Sequence, residues 1–203
     1  KLGYVRSVIP LDPGVHSTSA MTGVINNQGA YFFLDTHVQD DPTAEQIAEA
    51  TLQAAYRLKL FGIEPRIALL SHSNFGSHET HGSLKMRKVR ELLLKRVPKL
   101  NVDGEMQGDT AWDELLRQKI MPNSTLKGRA NLFVLPNLGS ANIAYIWVRV
   151  VTEGGAIGPI LMGIGKPVHI LTSSATPRRV LNMTAIAAVD AQIRAQREGE
   201  RKG

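Results

Sequence analysis

The sequence predicts an α/β domain with a largely parallel sheet flanked by helices. Short apolar runs alternate with longer amphipathic stretches along most of the chain, the order that right-handed crossovers between parallel strands require. The run at 30–34 is almost wholly apolar, as a strand covered on both faces is. The run at 66–70 empties into a polar, glycine-containing loop before a helical pattern starts, the arrangement in which ligands sit at the carboxyl ends of strands.

The elements follow in order. Residues 1–21, with Pro10, Pro13 and Gly14, read as an entry segment with extended pieces. Residues 22–25 and 30–36 flank Asn26-Asn27-Gln28-Gly29 and read as a hairpin. Thr43-x-x-Gln46 after Pro42 has the form of a capping box. Ile47, Ala48, Leu52, Ala55 and Tyr56 then follow near-helical spacing up to Gly62, so a helix is expected over 43–61. After the strand at 66–70, a basic helix is expected from near Ser83. A strand at 102–106 leads to a helix capped by Asp109 that carries Trp112, Leu115 and Leu116, and a strand at 131–135 leads to a helix over 140–151. A strand at 157–162 closes the series. An apolar strand end in the stretch 166–182 runs through a Thr/Ser-rich loop to Thr176-Pro177, an N-cap followed by proline at the first helical position. Val180, Met183, Ala187 and Ala191 are expected to face a core, and the polar end, 194–203, to fray.

Composition narrows the classes. With 203 residues the chain holds one substantial domain, or one domain and a piece of another. Its 43% hydrophobic and 21% charged residues are ordinary for a globular protein, and no apolar run approaches the length of a membrane span, so a cytoplasmic protein is expected. The absence of cysteine excludes disulfides, thiolate metal sites and cysteine nucleophiles. The start at Lys1-Leu2-Gly3-Tyr4 carries neither an initiator methionine nor a signal peptide, and reads as a cut from something longer. A net charge of +6 raises nucleic acid or an anionic ligand as partners. Yet Lys85, Arg87, Lys88, Arg90, Lys95, Arg96 and Lys99 share their segment with Leu84, Val89, Leu92, Leu93 and Val97 at helical spacing, which favours a solvated helix face. Few aromatics interleave with these charges, so no nucleic-acid partner is expected.

Two stretches offer ligand-binding groups. In residues 71–77, Ser71, Ser73, Asn74, Gly76 and Ser77 supply hydroxyl, amide and backbone donors that could cradle phosphate or carboxylate, or make an ordinary strand–helix turn. The Gly-Lys-Ser/Thr ending of a phosphate-binding Walker loop is absent, and Gly163-x-Gly165 lacks the third glycine of a dinucleotide fingerprint. His78, Glu79 and His81 lie in a loop with no carboxylate-rich cluster to complete a metal site, so no metal is expected. Asp103, Glu105, Asp109 and Asp113 could hold a general base, although Asp109 already serves as a cap. No Gly-x-Ser-x-Gly elbow is present.

Five segments, PTAEQIAEA at 42–50, FGIEPRIALLSHSNFGS at 61–77, VDGEMQGDTA at 102–111, ANLFVLPNLGSANIAY at 130–145 and IGPILMGIGKPVHILT at 157–172, together resemble the phosphate acetyl/butyryltransferase family. LLSHSNFGS, DGEMQGD and KPVHILT are most similar to the transferase-like C-terminal domain of large bacterial NADP-dependent malic enzymes. The resemblance implies a phosphotransacetylase-like, isocitrate/isopropylmalate dehydrogenase-like fold of two α/β subdomains with a cleft between them. Residues 1–165 would form the second subdomain, and 166–203 the loop and helix returning to a first subdomain that is mostly absent from this sequence.

Active members of the family carry a Ser-Arg pair after this last strand and an Asp six residues beyond the Arg, serving attack of coenzyme A thiolate on acetyl phosphate. The matching positions here are Thr172, Ser173 and Arg179. Ser173 cannot give phosphate the bidentate contacts of a guanidinium. Arg179 cannot accept a thiol proton, and general base catalysis alone contributes about 10²- to 10⁴-fold. The resemblance therefore implies a domain without useful transferase activity, the alternative being an active phosphate acetyltransferase. It further implies acetyl-CoA or a related ester as a ligand, met by Lys166, Thr172, Ser173, Ser174, Arg178 and Arg179 in addition to the 71–77 loop. A homo-oligomer is implied too, a dimer through this domain or an assembly of higher order, with NADP and a divalent metal confined to the malic enzyme half outside this sequence.

Overall fold

The computed structural model describes residues 1–200, the side chains of 197–200 excepted. Its centre is a six-stranded sheet in the order β4-β3-β5-β2-β1-β6, with β1 (Ser19–Asn26), β2 (Gly29–Leu34), β3 (Ile67–Leu70), β4 (Val102–Met106), β5 (Leu132–Val134) and β6 (Gly155–Met162). β2, β3, β4 and β5 pair in parallel, whereas β1 is antiparallel to both β2 and β6. Five of the six strands therefore run one way, and the largely parallel sheet expected from sequence is present. β1 and β2 form the hairpin: Asn26 pairs with Gly29, and the Asn26 side chain accepts from the amides of Gln28 and Gly29 at 2.9 and 3.2 Å.

The pleat sends alternate residues to opposite faces. Met21, Phe32, Leu34, Ile67, Leu69, Leu132, Val134 and Ile160 face α2 (Ala44–Leu60), α3 (His81–Arg96) and Met183 of α7 (Pro177–Glu200). Val24, Tyr31, Phe33, Ala68 and Phe133 face α4 (Gly108–Trp112) and α6 (Leu138–Val151). There the Tyr31 and Trp112 rings lie 4.6 Å apart, and Phe33 stacks on Phe133 at 5.2 Å. The Thr43–Gln46 capping box opens α2, and Gly62, with φ +74°, follows its end. Among the described residues no helix is long and apolar enough to cross a membrane.

Several expectations are corrected. The entry segment contains a helix, α1 (Leu2–Val8), none of whose residues is buried. α3 begins at His81 under a Thr80 cap, with Ser83 as the reciprocal partner of that cap. Asp109 is not a cap: α4 follows Gln107, and the Asp109 carboxylate accepts from the adjacent Thr110 amide at 2.7 Å. The chain breaks at Asp113, whose extended backbone starts α5 (Glu114–Ile120) and whose side chain accepts from the amides of Leu115 and Leu116. This second start directs Arg117, 1% exposed, inward to the carbonyls of Thr110 and Gly128. Residues 167–172 form no strand; instead His169 Nδ1 accepts from the Leu161 amide at 3.2 Å.

The phase of α7 also differs. Met183 is buried as expected, but Val180 and Ala191 are exposed and Asp190 is buried instead, because α7 is seated by an ion pair between Asp190 and Arg57 of α2. One turn on, Arg194 donates to both oxygens of Asp12 and to the carbonyls of Ile164 and Gly165. Fraying is expected over 194–203, but α7 stays helical to Glu200, and the remainder, 201–203, lies outside the described residues. Removing one member of a buried pair strands the other, so Asp190→Ala is expected to cost about 3–5 kcal/mol in urea unfolding. A loss near zero would mean that apolar packing alone holds α7.

Candidate functional site

A cavity of about 410 Å³ opens where β1 and β6 meet the chain returning from β6. Ala20 and Leu161, cross-strand partners, give it an apolar floor with Pro159. His37 and Val38 come from the loop after β2, Ile170 and Thr172 from the loop before α7, and Arg179 from the first turn of α7; Lys1 and Leu2 complete the lining. A volume of this order suits a small molecule or one arm of a larger one.

Local sequence explains each position. The β1–β6 register shifts between Met21 and Gly23, leaving Gly158 and Pro159 off the ladder. The freed Gly158 carbonyl accepts from Arg179 Nε at 2.9 Å. Thr176 caps α7 by accepting from the Arg179 amide at 3.3 Å, fixing that first turn against β6. On the opposite wall, His37 Nδ1 lies 2.6 Å from Thr36 Oγ1, which in turn meets the buried Thr22 hydroxyl at 2.9 Å. The loop itself turns at Asp35, whose φ is +47° and whose carboxylate accepts from the amides of Val38 and Gln39.

Electrostatically the lining of the cavity is positive. Burial, reinforced by the Arg179 charge, holds the His37 pKa below its usual value, so the imidazole is neutral at physiological pH. Lys1 and Arg179 are cationic, and no carboxylate stands among the lining residues. The wall has charge and hydrogen-bonding capacity for an anion, and an apolar floor for a short aliphatic group.

Of the residues proposed from sequence, Thr172 and Arg179 meet at this cavity, whereas Ser173, Ser174 and Arg178 are exposed and outside its lining, as is Lys166. Thr172 Oγ1 lies 3.0 Å from Ser174 Oγ. The 71–77 loop lies elsewhere, and its donors are committed. Ser73 Oγ and the Gly76 amide each donate to Glu105 Oε1 at 2.8 Å, and Arg87 Nε donates to Glu105 Oε2 at 3.0 Å. Ser77 Oγ accepts from the Asn74 amide, and the Asn74 side chain exchanges hydrogen bonds with Gln107. The carboxylate that this loop surrounds is the protein's own Glu105. Asp103 is likewise structural, accepting from Arg90, Ser124 and the Thr125 amide. Sequence reasoning missed His37, Val38, Pro159, Leu161 and Ile170; the one available signal was His37, three residues beyond the end of a buried strand.

Fold and cavity define an α/β domain with a cavity, lined by Lys1 and Arg179 and by no carboxylate, beside the carboxyl ends of β2 and β6. The chain belongs to the phosphate acetyl/butaryl transferase family, whose sequence pattern matches residues 1–188. It is 50% identical over 189 residues to the NADP-dependent malic enzyme of Escherichia coli (strain K12), a match covering 93% of this chain and 25% of that protein. The phosphate acetyltransferase of Bacillus subtilis (strain 168) is 33% identical over 184 residues, covering 91% of this chain and 57% of that one. The crystal structure of a phosphotransacetylase from Streptococcus pyogenes superposes with a TM-score of 0.88 at 33% identity, covering 94% of this chain and 58% of that chain. The chain thus spans a quarter of the malic enzyme it matches, and little more than half of these phosphotransacetylases.

Two buried groups beside the site oppose each other on acidification. Burial raises the Asp35 pKa from 3.8 to about 6, so its stabilising contribution is complete below about pH 4 and lost as pH rises through 6. Burial, aided by Arg57, lowers the His169 pKa from 6.5 to about 4, so its contribution is complete above pH 6.5 and lost as pH falls through 4. Asp35→Asn is expected to steepen the loss of stability between pH 6.5 and 4, read as urea midpoints, and His169→Gln to flatten or reverse it. Identical slopes in wild type and both variants would refute the assignment.

Proposed function

We propose that the chain is an acetyl-CoA-binding, oligomer-forming regulatory domain of an NADP-dependent malic enzyme, with no transferase chemistry of its own. Arg179 carries the reading. It stands where the transferases need a proton-accepting carboxylate, in the wall of a cavity whose lining contains no carboxylate. A guanidinium remains protonated at any working pH, so it attracts phosphate but cannot deprotonate a thiol. Identity of 50% to a malic enzyme, against 33% to a phosphate acetyltransferase, favours the malic enzyme as parent. In that parent, oxidative decarboxylation of malate to pyruvate, with its NADP and divalent metal, belongs to the other part of the protein, and the whole is cytoplasmic.

Regulation follows if acetyl-CoA favours one state of the parent over another, since a ligand shifts an equilibrium only by its differential affinity. Calorimetry with acetyl-CoA is expected to show saturable binding that Arg179→Gln weakens about 10-fold or more, the scale of a charge-assisted hydrogen bond. Absence of binding at millimolar acetyl-CoA would overturn the proposal.

One observation favours a second reading, an active phosphate acetyltransferase. His37 is neutral, lines the same cavity, and has the one ring type there that can accept a proton. Acetyl phosphate and coenzyme A are expected to give no thioester with the wild-type chain. A measurable rate that His37→Ala abolishes would replace the first reading with this one.

A further inference from the structure

His37 lines the cavity from the loop after β2, and its two ring nitrogens have different surroundings. Nδ1 lies 2.6 Å from Thr36 Oγ1, which lies 2.9 Å from Thr22 Oγ1. Thr22 and Thr36 are 0% and 1% exposed, so water does not compete for either hydroxyl. Nε2 has no protein partner among the described residues and is left to the contents of the cavity. The loop is pinned on both sides of the ring. Asn142 Nδ2 donates to the Thr36 carbonyl at 3.2 Å, and the Asp35 carboxylate accepts from the amides of Val38 and Gln39.

The proton on the ring follows from a count. Thr22, Thr36 and His37 Nδ1 share two hydrogen bonds, and Thr22 Oγ1 meets no other group among the described residues. With Nδ1 bare, Thr22 donates to Thr36 and Thr36 donates to Nδ1, so both hydroxyl protons are used. With a proton on Nδ1, three protons compete for the same two contacts, and one buried donor is orphaned. That penalty disfavours the second arrangement by about tenfold or more. It falls equally on the doubly protonated ring, so the relay and burial both keep His37 neutral.

We propose that the Thr22–Thr36 relay locks His37 in its Nε2–H form, and that this N–H reads the acyl carbonyl of the ligand, telling an acyl thioester from the free thiol. The inference deepens the acetyl-CoA binding of the proposed function and rests on it. A carbonyl oxygen accepts a hydrogen bond well, whereas a thiol sulfur is a weak acceptor. Lys1 and Arg179 attract any anionic ligand alike, and the floor of Ala20, Pro159 and Leu161 holds a short alkyl group with or without a carbonyl beside it. The choice between ester and thiol therefore falls to His37. In this form the ring is a donor to the cavity and not a base, because its one acceptor nitrogen is taken by Thr36.

Two-bond nitrogen–proton correlation spectra, which separate the tautomers of a histidine ring, are expected to show a bare Nδ1 and a protonated Nε2 on His37 in the ligand-free chain at neutral pH. Replacing both hydroxyls, Thr22→Val with Thr36→Val, orphans no partner and is expected to populate the Nδ1–H form, with urea midpoints establishing that the variant is folded. Calorimetry then compares acetyl-CoA with S-ethyl-coenzyme A, which keeps the two carbons and lacks the carbonyl oxygen. The wild type is expected to prefer acetyl-CoA by about tenfold, the scale of one net hydrogen bond. His37→Ala should lose that preference, and His37→Gln, whose amide donates from a similar reach, should keep most of it. A proton on Nδ1 of the wild type, or a preference that survives His37→Ala, would overturn the inference. Equal affinity for the two compounds would overturn it and leave the proposed function standing, whereas binding of neither would overturn both.

Discussion

The seating of α7 depends on the buried pair of Arg57 and Asp190, 6% and 4% exposed. Two charges removed from water are stable only when each satisfies the other in good geometry, so this pair admits one rotation of α7 about its axis. Arg179 stands eleven residues before Asp190, about three turns at 3.6 residues per turn, and therefore shares its side of the helix. The rotation that buries Asp190 is the one that delivers Arg179 to the Gly158 carbonyl and the cavity. Arg194, one turn beyond Asp190, extends the same side to Asp12 and the carbonyls after β6. A single helix thereby ties α2, the segment before β1 and the return loop into the frame of the site.

A second constraint works at the opposite side of the sheet. Glu105 is fully buried at the end of β4, and a carboxylate there needs donors. The 71–77 loop supplies them, its backbone passing through positive φ at Phe75 and Gly76 so that the Gly76 amide points inward. What resembles an anion cradle is thus the solvation shell of a buried side chain. The two strand-end loops have divided the work: one is consumed by structure, and the other, after β2, leaves His37 facing open space.

The pattern of legibility follows from these two carboxylates. The hairpin at Asn26–Gly29, the Thr43 capping box and the strand at 66–70 were readable because each is decided by neighbours in sequence. The face of α7 was not. Apolar spacing pointed to Val180 and Ala191, but the buried side is set by an Asp whose partner lies on another helix. Likewise nothing local distinguishes Asp109 from Asp113, and the choice falls to the packing of Trp112 on Tyr31 and of Arg117 against backbone carbonyls. In the site, Thr172 and Arg179 were legible through family resemblance. His37, Pro159 and Leu161 converge only once the hairpin and β6 pair, so long-range topology, absent from local sequence, assembles the rest.

The charge of Arg179 has two effects that separate binding from turnover. It makes the cavity wall positive, as a proposed anionic ligand requires, and it adds to burial in lowering the His37 pKa. Once an anion occupies the site, its charge offsets that of Arg179, and the proton affinity of His37 rises while desolvation continues to oppose it. Under the proposed function, ligand binding and proton uptake at His37 would therefore be linked, with affinity for an anion increasing as pH falls toward the His37 pKa. In a transferase such a proton would have to come from the thiol and leave again during the reaction. In a binding site it would simply remain and strengthen the hold on the anion, which is why the proposed sensing role asks less of His37 than turnover would.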